Sequence, residues 1–141
     1  MQEIGREAFH SCKSLKRFKV PSTVKIIGKW AFYGCQLLVE VKISQGLEGL
    51  ERIENSAFYG CKPLKYMQVP STVTSIGGYA FDTCKQLLGV EVCEGEIEKI
   101  DKAAFSNCFS LRNVSIPPVA QAVECFGSCH DLLKLFGTQE I

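Results

Sequence analysis

"IGGYAFDTC" occupies Ile76–Cys84, and the chain writes close copies of it four more times: "IGREAFHSC" from Ile4, "IGKWAFYGC" from Ile27, "IENSAFYGC" from Ile53 and "IDKAAFSNC" from Ile100. Self-similarity at a fixed period of 20–50 residues is the mark of a stacked repeat architecture, in which each unit buries its apolar face against the next. Reading outward from the repeated Phe gives Phe9, Phe32, Phe58, Phe81, Phe105 and Phe126. Three residues on stands a Cys (12, 35, 61, 84, 108, 129), three further a Leu (15, 38, 64, 87, 111, 132), and then an alternating pair such as Val90 and Val92. The unit is I-G-x-x-A-F-x-x-C-x-x-L-x-x-V-x-V-P, with starts near 4, 27, 53, 76, 100 and 121.

Five units keep the pattern and the sixth degenerates: Gln121 replaces the Ile, Cys125 the Ala and Gly137 the last strand residue. Periods of 23, 26, 23 and 24 separate the good units. The length variation falls after V-x-V, where unit two carries "ISQGLEGL", so insertions belong in a loop on one side of the stack. The L-x-x-V-x-V segment alternates as a short half-buried strand does. Pro21, Pro70 and Pro117 follow it and cannot donate to a ladder, which ends the pairing. A second extended piece is expected at Val24–Ile27, Leu50–Ile53, Val73–Ile76 and Ile97–Ile100. Gly5, Gly28 and Gly77 then suggest a turn with positive φ, and the i, i+3 spacing of Phe and Cys suggests a single helical turn. The expected fold is therefore an α/β solenoid over residues 1–141, with a parallel sheet on one side and short helical turns and loops on the other.

L-x-x-V-x-V at this period is the core of a leucine-rich repeat. With I-G-x-x-A-F-x-x-C in front of it, residues 4–135 resemble the BspA-like leucine-rich repeats. The resemblance implies a curved right-handed solenoid that binds proteins or cell-surface ligands, often on microbial surfaces, and it brings no catalytic residues.

Composition limits the function classes. Apolar residues make up 46%, enough for a core, and 16 basic against 15 acidic residues leave a net charge of +1. That balance gives no expectation of nucleic-acid binding. No apolar run reaches the ~18 residues of a membrane span, and "MQEIGREAF" lacks the pattern of a signal peptide. The chain starts inside a repeat and has no polar cap at either end. It therefore reads either as a cytosolic protein or as a segment of a longer array whose targeting segment lies elsewhere.

The chemistry-bearing residues favour structure over catalysis. Six of the eight Cys fall on one repeat position and read as buried free thiols, since successive coils match a disulfide's geometry poorly. Cys93 stands where other units have Pro or Ser and is the thiol expected to be accessible. "CFGSCH" (125–130) uses Cys125 and Cys129 for repeat positions, leaving His130 alone, too few ligands for structural zinc. His10 reads as a surface residue, and with two His in all no Cys–His or Ser–His nucleophile is assembled. No cofactor motif is present, and Asn113 opens an "NVS" glycosylation sequon.

These observations point to a non-catalytic module whose partner is a protein or a glycan. A spacer segment of a longer repeat protein is the second reading and a Cys-dependent enzyme a distant third. In V-x-V the intervening side chains face outward and line up from coil to coil. The outward rows are Arg17, Glu40, Tyr66, Gly89 and Asn113 in one, and Lys19, Lys42, Gln68, Glu91 and Ser115 beside it, and their side chains make the expected ligand face. An exposed Tyr among Arg and Lys is the composition of an interface anchor.

Overall fold

A computed structural model describes residues 2–44, 49–93, 95 and 97–116. Expectations that fall on the sixth unit, including Phe126 and "CFGSCH", lie outside the described residues. The described chain winds as a parallel-strand solenoid of five coils with ten short strands. Two-residue strands β1 (Glu3–Ile4), β3 (Ile26–Ile27), β5 (Arg52–Ile53), β7 (Ser75–Ile76) and β9 (Lys99–Ile100) pair in that order into one parallel sheet. The V-x-V segments form β2 (Arg17–Val20), β4 (Glu40–Ile43), β6 (Tyr66–Val69), β8 (Gly89–Val92) and β10 (Asn113–Ser115) on another wall. There β2 pairs with β4, and β6 with β8 and β8 with β10, all parallel. The break between β4 and β6 coincides with the longer connection of unit two and with Pro63. Pro63 holds the place that Gln86 fills in the next coil, where the Gln86 N–H donates back to the Lys62 carbonyl (3.0 Å), and a proline has no N–H to give.

The helical turn expected at A-F-x-x-C is corrected. Among the described residues no α-helix forms, so the fold is a β-solenoid rather than α/β. The hydrogen bonds give the reason. In unit three, Ala57 donates to Glu54, Tyr59 to Ser56 and Cys61 to Phe58, three successive turns closed across three residues. The N–H groups between them turn outward along the stack: Ser56 donates to Gly78, Phe58 to Ala80 and Gly60 to Asp82 of the next coil. A helix would have spent those donors internally. Alternation between turn and ladder requires left-handed residues at two places per coil. They are Glu7, Trp30, Ser56, Tyr79 and Ala103 in one column, and Ser11, Gly34, Gly60, Thr83 and Asn107 in the other.

The roles expected of the repeat glycines change accordingly. Gly28 and Gly77 do not adopt positive φ. They make room: a Cβ at Gly28 would lie 2.8 Å from the Ile4 carbonyl oxygen, and one at Gly77 would collide with Asn55. At Gly5, in the first coil, nothing lies within 4 Å.

The core is a set of columns. Phe9, Phe32, Phe58, Phe81 and Phe105 stack with centroids 5.0–5.1 Å apart and planes within 11° of parallel. Phe32, Phe58, Phe81 and Phe105 are wholly buried, as are the Cys and Ala that flank them. The cysteine column has its own chemistry. Cys35, Cys61, Cys84 and Cys108 donate their thiol hydrogens to the carbonyls of Phe9, Phe32, Phe58 and Phe81 in the preceding coil, at 3.1–3.3 Å. Each of those carbonyls already accepts the N–H of its own unit's Cys, so the thiol occupies its second lone pair. The repeat thus calls for a side chain that packs like a small hydrophobe and still donates weakly. All six described cysteines are free. The neighbouring Cys35 thiol, together with burial, holds Cys61 well above the usual thiol value, and burial pushes Cys84 up as well.

Candidate functional site

The V-x-V wall places the candidate residues in the rows their spacing implied. Arg17 lies in register with Glu40 and Lys19 with Lys42 across β2 and β4. Tyr66, Gly89 and Asn113 share a row across β6, β8 and β10, with Gln68, Glu91 and Ser115 beside them. The break between β4 and β6 divides the nine into two groups. Arg17, Lys19, Glu40 and Lys42 form the first, where Arg17 Nε sits 3.7 Å from Glu40 Oε1 with both groups well exposed. A surface pair of this kind adds ~0–1 kcal/mol.

The second group surrounds an open recess of about 550 Å³, lined by Tyr66, Gln68, Gly89, Glu91, Asn113 and Ser115 together with Arg112. Tyr66 is 62% exposed, high for a residue of that size. Its ring leans over the neighbouring coil: a Cβ built on Gly89 would come within 3.1 and 3.3 Å of the ring carbons Cδ1 and Cε1. Gly89, buried under that ring, lets an aromatic lie along the wall where any other residue would lift it. Gln68 donates from Nε2 to Glu91 Oε1 at 2.6 Å, fixing a carboxylate beside the ring.

A reading based on V-x-V alone misses Arg112 and puts Gly89 in its row without a role. Arg112 precedes its strand by one position, in the column of Lys16 and Lys65, and that shared offset is the signal for it. Gly89 has no side chain to nominate it, and only the neighbouring ring reveals its part.

The remaining candidates do not line this recess. Cys93 is half-buried beyond the end of β8, its N–H bound to the Val69 carbonyl. Burial first, and the Glu91 carboxylate second, raise its pKa, which lowers the thiolate fraction that a nucleophile needs. His10 is exposed on the turn wall, stacked on Tyr33 at 4.9 Å, and Tyr33 stacks in turn on Tyr59 at 4.9 Å. Beside them Arg6 lies 4.4 Å over the Trp30 ring. Among the described residues no three His, Cys, Asp or Glu side chains gather as metal ligands would, and no helix is long and apolar enough to cross a membrane.

Comparison with known proteins agrees with the fold. A leucine-rich repeat protein from Bacteroides ovatus superposes with a TM-score of 0.73 at 32% identity, over 83% of this chain and 29% of its own. The leucine-rich repeat protein of T. pallidum gives 0.66 at 25% identity, over 99% of this chain and 76% of its own. The pneumococcal vaccine antigen PcpA gives 0.70 at 21% identity over 90% of this chain and 33% of its own, a likeness of fold alone. This chain thus spans less than a third of the Bacteroides protein. No curated protein is significantly similar in sequence. The sequence profile of the BspA type Leucine rich repeat region matches six copies over residues 2–135, and the chain belongs to that family.

Proposed function

We propose that the chain is a non-catalytic interaction module that engages a cell-surface protein or glycan through its V-x-V wall. The observation that carries this reading is Tyr66, a large ring 62% exposed and seated over Gly89 in a recess with Arg112, Gln68 and Glu91 around it. A spacer coil has no need of an aromatic lying on its surface, whereas an interface gains most from a pre-positioned Tyr or Arg. Membership of a repeat family whose members generally act by binding is consistent with it.

The test is a binding panel of purified cell-surface proteins and polysaccharides, read with three forms of the protein. Tyr66→Ala should weaken the ligand that scores by ~2 kcal/mol or more. Lys102→Glu, exposed on the turn wall, should leave it unchanged. Equal effects of the two substitutions would place the interface elsewhere.

A further inference from the structure

The net charge of +1 conceals a segregation that the fold creates. In each of the five coils, take the residues from the Cys through the corner to the end of the V-x-V strand: 12–20, 35–43, 61–69, 84–92 and 108–116. This stretch holds nine Lys and Arg against two acidic residues, Glu40 and Glu91. The other described residues hold six basic and seven acidic ones. Among the described residues, charges that are mixed along the sequence are therefore sorted in space, because the repeat returns the same offset to the same wall.

The basic groups run as rows along the stack. Lys13, Lys62 and Lys85 share the position after the Cys, and all three are exposed. Lys16, Lys65 and Arg112 share the position before the strand, also exposed. On the strands, Lys19 and Lys42 lie in direct register, two like charges on adjacent coils. Coils follow each other at about 4.8 Å, so the rows extend over roughly 20 Å. None of the seven lysines makes an ion pair with another described residue. Both acids on the wall are engaged, Glu40 by Arg17 and Glu91 by Gln68. Setting like charges side by side costs stability, and an anionic partner relieves that cost.

Resting on the assignment of the V-x-V wall as the binding face, we propose that its ligand is a linear anionic polysaccharide, bearing sulfate or carboxylate groups, laid along the lysine rows. Three features favour a sugar chain over other polyanions. The Tyr66 ring offers an outer face to the apolar side of a pyranose, since Gly89 lets its inner face settle on the wall. Beside the ring, the Glu91 carboxylate, which takes one N–H from Gln68, and the Asn113 amide oxygen have acceptor capacity left for hydroxyl donors, which a phosphodiester backbone largely lacks. The cations are nearly all Lys, point charges on flexible stems that suit anionic groups of irregular spacing, whereas fixed carboxylates on a folded protein favour the planar fork of Arg.

Heparin serves as the probe, with unsulfated dextran, duplex DNA and poly-glutamate as comparators, each measured against the intact protein at several salt concentrations. Heparin should bind with an affinity that falls as salt rises, and dextran should not bind. The double variant Lys19→Glu, Lys42→Glu should lose about ten-fold or more and show a shallower salt dependence. Tyr66→Ala should lose heparin affinity while its salt dependence stays the same, because the ring contributes no charge. Failure of heparin to bind overturns the proposal. So does DNA or poly-glutamate binding as tightly as heparin with no effect of Tyr66→Ala, which would show a basic face indifferent to sugars. If heparin fails but a ligand from the panel is still lost on Tyr66→Ala, the sugar is wrong and the wall remains the binding face. If that ligand too is insensitive to Tyr66, both readings fall.

Discussion

The turn wall and the strand wall of each coil come from the same repeat, yet they answer differently to the insertion in unit two, whose period is 26 where its neighbours have 23. On the turn wall nothing is lost: Phe32 and Phe58 stack at 5.0 Å, as closely as any other pair. Gly34 still donates to Tyr59 of the next coil at 2.8 Å. On the strand wall the ladder stops between β4 and β6 and resumes from β6 to β10. The turn wall keeps its register because aromatic rings, thiols and backbone donors all repeat there at once. The strand wall relies on fewer constraints, so its ladder is the one that gives way. An unbroken hydrogen-bonded register belongs to one wall and an interrupted one to the other.

The largest expected effect lies on the turn wall. Phe81 is wholly buried between Phe58 and Phe105, and Phe81→Ala should cost ~3–5 kcal/mol in chemical denaturation. Val90, facing the same core from β8, should cost less on truncation, since fewer atoms are removed. Phe9→Ala should also cost less than Phe81→Ala, because Phe9 is only half-buried. Equal losses at Phe81 and Val90 would break the contrast between the walls.

A second test uses the close packing of coils at the repeat glycine. Gly77→Ala drives a methyl group into Asn55 and should cost ~1–3 kcal/mol. Gly5→Ala meets open space, so it should be neutral or slightly stabilising. Thermal denaturation of the pair decides whether coil spacing or backbone conformation selects the glycine. A large loss at Gly5 would mean that backbone conformation selects the glycine.

The columns, the two extended segments, the strand-ending prolines and the outward rows were all legible in the sequence, because each depends on a residue type recurring at one offset. What the sequence concealed depends on where backbone donors go. The spacing of Phe and Cys fits a helical turn and a chain of β-turns equally well. The choice is made by donors such as Phe58 N–H, which reach the next coil. The left-handed positions were hidden for a related reason. Glu7, Trp30, Ser56, Tyr79 and Ala103 are not residues that advertise positive φ, and in the first three coils an N–H bond to the next coil, from Glu7, Trp30 and Ser56, holds the column there. The charge segregation is hidden from composition, which averages over walls that only the winding separates.

Thiols give a third, smaller effect. Cys84→Ala removes a weak donor and one sulfur atom from a packed column, with the Phe58 carbonyl still bound to the Cys61 N–H, and should cost about 1–2 kcal/mol. Burial raises the folded-state pKa of Cys84, so its neutral form is favoured in the native state. Stability should hold below the ordinary thiol range and decline as pH climbs above it, with a shallower decline in Cys84→Ala. Under native conditions a thiol reagent should label Cys93 before Cys35, Cys61, Cys84 or Cys108, which are wholly buried. Because the Cys93 pKa is also raised, its labelling rate should keep rising at pH values where an unperturbed thiol has levelled off. Early labelling of Cys84 would mean that the turn wall opens more readily than the strand wall, the reverse of the contrast drawn above.

The smallest expected change in stability sharpens the comparison most, because it sets on the strand wall the same substitution as Gly77→Ala on the turn wall. Gly89→Ala places a methyl group 3.1–3.3 Å from the Tyr66 ring. The neighbour it meets is an exposed side chain that can swing outward, whereas Gly77 faces backbone and the Asn55 amide. Alanine also suits a strand interior better than glycine does, which offsets part of the crowding. The net change in stability should stay within about 0.5 kcal/mol. The surface, however, is altered: with the ring lifted from its seat, heparin affinity should fall in the direction of Tyr66→Ala, at an unchanged melting temperature. The same Gly→Ala change would then cost stability on one wall and binding on the other. Heparin affinity unaffected by Gly89→Ala would show that the flat seat of Tyr66 plays no part in recognition. A melting temperature lowered as far as in Gly77→Ala would show that the strand wall is packed as rigidly as the turn wall.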